Sequence, residues 1–518
     1  MRKPVSVLFV SLISCLSSAS AQPQGDVIWS FPAPNGIYCT GAIPDVSGDS
    51  LPEAVAVIYY GATTPDPRKV YCLSGPTGDT IWVNRTAYGT WGNKNLDCSP
   101  DLNHDGYADV LIGTVGGYTG AGRSVIALSG RTGDTLWRYT RGQNWGWVYC
   151  VRSFADIDGD SVPDVLGAAG TTSGVPGAGV LVSGRTGAEI WFYRLPSDAA
   201  MAIAPFDDIN SDSIPDVLLG AGGNSINDTA YCLSGLTGSP IWKRSCLGDF
   251  QDIERIPDVN HSGTNDCLGG GWSDSVFCLE GSNGSFIWAT DIGSVVMEVV
   301  PVRDINGDSI WDVAAGSWNS SVYLLSGADG SIIWTGPIGQ DAWPVDTLAD
   351  VTGDGLPEIV AGAVNGRSVK VFDGATGQAL WFYNFNERVY DVTGVPDMNG
   401  DGVSDVLVGL QDQGNQVDHL YCFSGLTGPA VSERKDLKPR PQPIRTSTIG
   451  KLELVVPLGQ HYSLNLFDAC GRQVLEPVQG IGTGKSIAIA LNSLSSGAYF
   501  CRLASGAGSA MMGKVVIP

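Results

Sequence analysis

Histidine is scarce in this 518-residue chain, with four in all, and they do not gather. His104 and His261 lie inside acidic segments, His419 stands just before a predicted strand, and His461 is near the C-terminus. No histidine cluster, Ser-His-Asp arrangement or phosphate-binding glycine loop follows, which removes the commonest routes to catalysis. Basic residues are few as well: 30 Lys and Arg against 53 Asp and Glu give a net charge of −23. That balance disfavours nucleic acid and anionic membranes as partners. No Cys-x-x-Cys pair occurs, and no segment approaches the roughly 20 consecutive apolar residues that a membrane-spanning helix needs.

What is plentiful is turn-forming residue, Gly 69 and Pro 29, the signature of many short strands. At the N-terminus Arg2 and Lys3 precede an apolar run from Val5 to Ile13 and then Ala19-Ser20-Ala21, a secretory signal with cleavage placed after Ala21. Leu12-Ile13-Ser14-Cys15 also resembles a bacterial lipoprotein box, which would tether the chain through Cys15. Removing the signal takes Cys15 out of twelve cysteines and leaves eleven, so at least one thiol is free or paired between chains. Cys72, Cys232, Cys278 and Cys422 precede a repeated turn, while Cys39, Cys98 and Cys150 precede an acidic segment. They read as small buried strand residues.

Self-similarity is the strongest signal. The module Leu73-Ser-Gly-Pro-Thr-Gly-Asp-Thr-Ile-Trp82 recurs with its final tryptophan at Trp137, Trp191, Trp242, Trp288, Trp334 and Trp381. An eighth copy starts at Phe423-Ser-Gly-Leu-Thr-Gly428 but carries Ser432 where tryptophan belongs, and the mature N-terminus offers an orphan Asp26-Val-Ile-Trp29 to complete it. A second module, an acidic nonapeptide, alternates with the first at intervals of 46 to 56 residues. Each interval holds four short predicted strands, so the expected fold is all-β: an eight-bladed β-propeller over 22–432 closed by the N-terminal strand. The Gly-x-x-x-Trp pattern resembles the repeat of pyrroloquinoline-quinone enzymes, which are also eight-bladed, but the vicinal disulfide of that family's cofactor pocket is missing. A tryptophan at one fixed place per repeat reads as blade-to-blade packing.

The nonapeptides carry side-chain oxygens at positions 1, 3, 5 and 9. The sets are Asp45, Ser47, Asp49, Glu53; Asp101, Asn103, Asp105, Asp109; Asp156, Asp158, Asp160, Asp164; and Asp208, Asn210, Asp212, Asp216. They continue with Asp258, Asn260, Ser262, Asp266; Asp304, Asn306, Asp308, Asp312; Asp350, Thr352, Asp354, Glu358; and Asp397, Asn399, Asp401, Asp405. Calcium takes six to eight hard oxygen ligands, and alternate positions of a tight loop turn their oxygens toward one centre. Up to eight Ca2+ are expected, with the fifth set doubtful because it offers two carboxylates. The loops are similar to the calcium loops of FG-GAP and related propeller repeats of integrin-type heads. The ions are expected to be structural, clamping the connection between the first two strands of each blade.

If the acidic loop joins the first two strands of each blade, the Gly-x-Thr-Gly turn shares its face. The opposite face then collects Trp91, Trp145, Trp147, Trp272, Trp318 and Trp343, suited to stacking on sugar rings or on apolar side chains of a partner. The expected function is that of a secreted or cell-surface, adhesion-type propeller that binds an extracellular glycan or protein ligand on this face. No catalytic residues are assigned. The alternatives are a rhamnogalacturonan-type polysaccharide lyase, since some of those enzymes are eight-bladed and bind calcium, and a surface scaffold without ligand.

Beyond the propeller, 433–448 is basic and proline-rich and reads as a linker. Residues 449–518 alternate as strands of a small β-sandwich, such as Tyr462-Ser-Leu-Asn-Leu-Phe467. Leu494-Ser-Ser-Gly-Ala-Tyr-Phe-Cys-Arg-Leu503 with the terminal Gly513-Lys-Val-Val-Ile-Pro518 resembles the type A sorting domain of the type IX secretion system. Leu466-Phe-Asp-Ala-Cys-Gly-Arg472 fits that pattern except for its cysteine. The resemblance implies export by the type IX machinery to the outer surface of a Gram-negative bacterium.

Overall fold

Each repeat folds as one four-stranded antiparallel sheet, and its second strand shows why the sheets must stack. Past a leading carboxylate, Asp312–Ser317 and Glu358–Ala363 are short, mostly apolar and small-sided, and every residue in them is buried. A strand of that kind needs cover on both faces of its sheet, and in the computed structural model the neighbouring repeats supply it. The structure describes residues 24–426 apart from 60–68, 86–88, 93, 100, 117–121, 173, 224–227, 247 and 412–417. Beyond these it describes chiefly strand segments between 442 and 517. The signal region, Ser432 and most of the expected linker lie outside the described residues.

Within 24–426 the result is eight four-stranded sheets. In the first, Ile37–Ile43 lies toward the axis, followed outward by Glu53–Ile58, Val70–Leu73 and Thr80–Asn84. The next six repeat that order along the chain. The eighth is built from Arg388–Val395, Asp405–Gln411 and Asp418–Ser424, and its outermost strand is the N-terminal Val27–Ala33, paired antiparallel with Asp418–Ser424. The chain is therefore an eight-bladed β-propeller closed by its N-terminal strand.

One contact recurs at every blade boundary. The outer strand of each complete repeat slips register just before its tryptophan, as between Cys72 and Leu73 opposite Trp82 and Thr80, and such a bulge re-aims the side chain. The indole N–H then crosses to the next blade and donates to a glycine carbonyl. Trp82 reaches Gly130 at 2.7 Å, Trp137 reaches Gly184 at 2.6 Å, and the series runs on to Trp381 with Gly425 at 2.8 Å. Trp29, on the closing strand, completes the circle with Gly75 at 2.5 Å. Seven of these rings also lie on the second glycine of the neighbouring turn, and the Trp381 ring lies on Gly25. A Cβ on Gly133, whose φ is +74°, would stand 2.5 Å from the Trp82 ring, so the turn's backbone angle and the seam's closeness both demand glycine. The recurring tryptophans are blade-to-blade packing, as their spacing implied.

The cysteines behave as strand residues. The nine described ones are free thiols, most of them buried, and burial pushes Cys246 up to about 12.

The chain divides into two compact units, 1–427 and 428–518. The second holds a three-stranded sheet and a four-stranded sheet, the latter ordered Val478–Ile481, His461–Asp468, Gly497–Ser505, Ala510–Ile517. Gln442–Ser447, inside the segment read as linker, is instead the edge strand of the three-stranded sheet. An edge accommodates Pro443, which has no N–H to give a ladder.

Replacing Trp191 by Phe removes the bond to Gly235 and leaves a buried carbonyl without its donor. Stability should fall by about 1–3 kcal/mol, read as a lower guanidinium midpoint. Trp29→Phe should cost a similar amount, because it opens the same bond at the closure.

Candidate functional site

The acidic loops share one backbone geometry. Positions 4 and 6 are left-handed in each, for example Gly159 and Ser161 at +79° and +70°, or His104 and Gly106 at +60° and +86°. Two of the four histidines are thus turn residues. The first aspartate caps the loop, as Asp156 does by accepting the N–H groups of Gly159 and Ser161 at 2.7 and 2.8 Å. The ninth-position carboxylate is buried in all eight loops and spends its oxygens inside the fold. Asp164 accepts from the N–H of Ile157 at 2.7 Å and of Gly184 at 3.1 Å. Burial pushes Asp109, Asp164, Asp266 and Asp312 up to about 6 and Asp405 to about 8. Among the described residues, the oxygens of Asp45, Asp49 and Glu53, and those of Asp156, Asp158 and Asp164, converge within 4.8 Å. These all-oxygen donor sets fit a hard cation. A third carboxylate, from the neighbouring turn, stands against the fifth loop. Glu280, where most other blades carry serine, accepts from Asn260 at 2.7 Å, Ser262 at 3.1 Å and Thr264 at 2.9 Å.

At the opposite ends of the strands, aromatic rings form a belt. Tyr38 stacks between Tyr59 and Tyr390 at centroid distances of 4.5 and 4.2 Å. Trp343 meets Tyr390 at 5.7 Å, Trp91 meets Tyr59 at 5.4 Å, Trp147 meets Trp91 at 6.1 Å and Tyr149 meets Trp147 at 6.4 Å. The Trp91 loop is anchored from beneath, because buried Asn95 donates to the Trp91 carbonyl at 3.1 Å and Cys39 to that of Gly92 at 2.6 Å. Trp91 remains 38% exposed. Trp272 and Trp318 form a separate edge-to-face pair at 5.0 Å, 48% and 38% exposed. Trp145 is the exception among the six candidates. At 1% exposure it is a core side chain packed edge-on against Tyr139. It turns into the seam between the second and third blades, where Trp147, two residues on, turns out. Trp145→Ala would excavate the core and say nothing of the face.

Between the two faces runs an axial cavity of ≈ 380 Å3 lined by inner strands. Inner strands of adjacent blades belong to separate sheets, and carboxylates take up several of their N–H groups. Asp391 accepts from Thr40 at 2.5 Å, Asp97 from Ser153 at 2.7 Å, Asp252 from Val299 at 3.0 Å, Glu298 from Val345 at 3.1 Å and Asp346 from Gly394 at 3.0 Å. Lys94 crosses the cavity to Asp252, Glu254 and Glu298 at 3.3, 3.1 and 3.2 Å, and Arg152 joins Glu254 at 3.0 Å. The three carboxylates more than offset burial and hold the Lys94 ammonium well above its ordinary range. Sequence reading missed this cluster, although a signal existed. Asp252, Glu298 and Asp391 each stand four residues before the residue paired with the loop's ninth position.

The sequence family described as outer membrane protein assembly factor BamB matches residues 16–290. The FAM234A/B β-propeller family matches 317–464 and the secretion system C-terminal sorting domain 448–518. No curated protein matches. Among solved structures, the C-terminal WD40 domain of Sif2 is 12% identical over 79% of this chain and 100% of its own, with a TM-score of 0.51. The computationally designed Ika8 protein is 14% identical over 78% and 100%, also at 0.51. BamB from Moraxella catarrhalis is 15% identical over 77% and 99%, at 0.48. The first two likenesses are of fold.

Lys94→Met should destabilise the propeller by about 3–5 kcal/mol, since it strands three carboxylates at the axis. Burial raises Glu298 from its ordinary 4.5 to about 7 and Asp346 from 3.8 to about 6. The folded state therefore holds protons that the unfolded chain releases. This contribution is complete below the ordinary values and is lost as pH rises through about 6 to 7. Melting temperatures taken across that range should fall, and Glu298→Gln should flatten the decline.

Proposed function

This chain belongs to the family of the outer membrane protein assembly factor BamB, and from that premise we propose a secreted or cell-surface propeller that binds a glycan or protein ligand across its aromatic belt. The C-terminal sorting domain makes the chain a secreted or cell-surface protein carried by type IX machinery, and among the described residues no helix is long and apolar enough to cross a membrane. The observation that carries the binding role is the continuity of the belt. Seven rings from Trp343 to Tyr149 touch in series, with Tyr38 and Tyr390 buried as their support and Trp91 exposed, and flat exposed rings favour sugar faces and apolar side chains. The family's description as an assembly factor also favours contact over chemistry.

The lyase reading draws less support. Lys94 is pinned as a cation by three carboxylates, so it is a poor proton acceptor. The cavity's surplus of acid would repel an acidic polysaccharide.

The acidic loops complete the proposal as FG-GAP-like calcium sites. The side-chain oxygens of positions 1, 3, 5 and 9 would hold the ion, with Glu280 serving in the fifth loop. The ninth residue would tie each ion to the glycine that receives the neighbouring tryptophan. Calcium supplies charge neutralisation and cross-linking there, and its binding adds directly to folded-state stability.

Two measurements test these readings. The full secreted chain, loaded with calcium, is passed over a panel of neutral and acidic polysaccharides while new unsaturated chain ends are assayed. Retention without new ends, weakened roughly tenfold by Trp91→Ala, is the expected result, and new ends would favour the lyase. Calcium should raise the melting temperature and chelation should lower it, each occupied site contributing about 2.7 kcal/mol at a hundredfold excess over its Kd. The paired substitution Asp156→Asn with Asp158→Asn should shrink that shift.

A further inference from the structure

On the aromatic face, away from the belt, three aspartates meet where the fourth blade joins its neighbours. Asp198 comes from the connection into the fourth blade, Asp228 from the loop between its second and third strands, and Asp249 from the connection into the fifth. Asp228 and Asp249 share a side-chain hydrogen bond, and the charge of Asp198 bears on both. Asp249 is seated between two glycines. A Cβ at Gly222 would stand 2.9 Å from its Cβ, and one at Gly271 would strike its carbonyl. That carbonyl accepts the N–H of Trp272 at 2.9 Å, which brings the trio against the exposed Trp272–Trp318 pair.

What sets the trio apart from the other acids is what it lacks. Asp198 is 2% exposed, and its Oδ1, like that of Asp228, is buried without a hydrogen-bond partner. Buried carboxylate oxygens are expensive to leave unpaired. Burial and the neighbouring carboxylates push both groups up, Asp228 to about 7. The axial acids are matched to inner-strand N–H groups and to Lys94; Asp198 has no such match. The trio's oxygens do not converge as those of Asp156, Asp158 and Asp164 do within 4.8 Å, so the site suits a group larger than a bare metal ion. Two exposed indoles next to these carboxylates add the quadrupole attraction that organic cations find on aromatic faces.

We propose that Asp198, Asp228 and Asp249, with the adjacent Trp272–Trp318 pair, form a receptor for one organic cation, a protonated amine or a guanidinium carried by the ligand. The site stands apart from the belt, since Trp272 and Trp318 make ring contact only with each other among the described residues, and it does not rest on the function proposed above.

The test uses the full secreted chain in saturating calcium, so that the acidic loops do not compete. The probes are a fluorescein-labelled tetra-arginine peptide and a labelled glucosamine oligomer, which separate a protein source of the cation from a glycan one. Binding of either probe should weaken about tenfold or more in Asp198→Asn with Asp228→Asn. It should change little in Asp79→Asn with Asp134→Asn, which removes the same charge from exposed turns on the opposite face. Trp272→Ala should also weaken binding and Trp272→Phe should preserve it. The tryptophan arm decides the matter if the aspartate variant fails to fold, because the ring is exposed. Equal losses in the two aspartate pairs, no loss in either, no binding of either probe, or a calcium site lost with the Asp198 and Asp228 substitutions would overturn the proposal.

Discussion

The structure depends on a single peptide unit repeated around a ring: the first glycine of each Gly-x-Thr-Gly turn. Its carbonyl accepts the indole N–H of the preceding blade, and in most blades its N–H donates to the ninth-position carboxylate of its own acidic loop. Gly184 receives Trp137 at 2.6 Å and gives to Asp164 at 3.1 Å, and Gly130 receives Trp82 at 2.7 Å and gives to Asp109 at 3.0 Å. Blade packing and loop geometry are thus fastened at one point. A side chain there is excluded, because a Cβ on Gly184 would stand 1.8 Å from the Pro163 carbonyl. Ring closure needs no extra device: the N-terminal strand brings Trp29 to Gly75.

The rest follows from that spacing. Tryptophans hold the blades together toward their outer edges, while the inner strands converge on an axis where their N–H groups have no strand to pair with. Short acidic side chains fill the gap, and two cations, Lys94 and Arg152, keep the surplus of negative charge from splitting the ring. Strand alternation then assigns the loops to opposite faces. The acidic nonapeptides and their turns occupy one, and the aromatic connections occupy the other.

Much of this was legible in the sequence because it repeats. Eight acidic segments, seven complete tryptophan modules and an orphan Asp26-Val-Ile-Trp29 define the blade count and the closure without any contact being known. What does not repeat was not legible. Lys94 reaches Glu254, 160 residues away, and Tyr38 finds Tyr390 across the closure. Such pairings depend on which blades become neighbours. Trp145 and Trp147 look equivalent in a loop and differ by whether the chain turns them into the seam or out of it. Glu280 hid in the turn module, at a site usually held by serine, although it serves the acidic loop beside it.

The fifteen tryptophans divide into eight seam residues, a buried Trp145, five on the aromatic face and Trp311 in the sixth acidic loop, and that division can be measured residue by residue. Limited oxidation of the native chain with N-bromosuccinimide, mapped by mass spectrometry, reads the order in which the indoles react. Trp91, Trp272, Trp318 and the exposed Trp311 should be modified first, with Trp145 and the buried seam tryptophans protected until the protein unfolds. Oxidation of Trp82, Trp137 or Trp191 at the rate of Trp272 in the folded protein would contradict the seam on which the whole description stands.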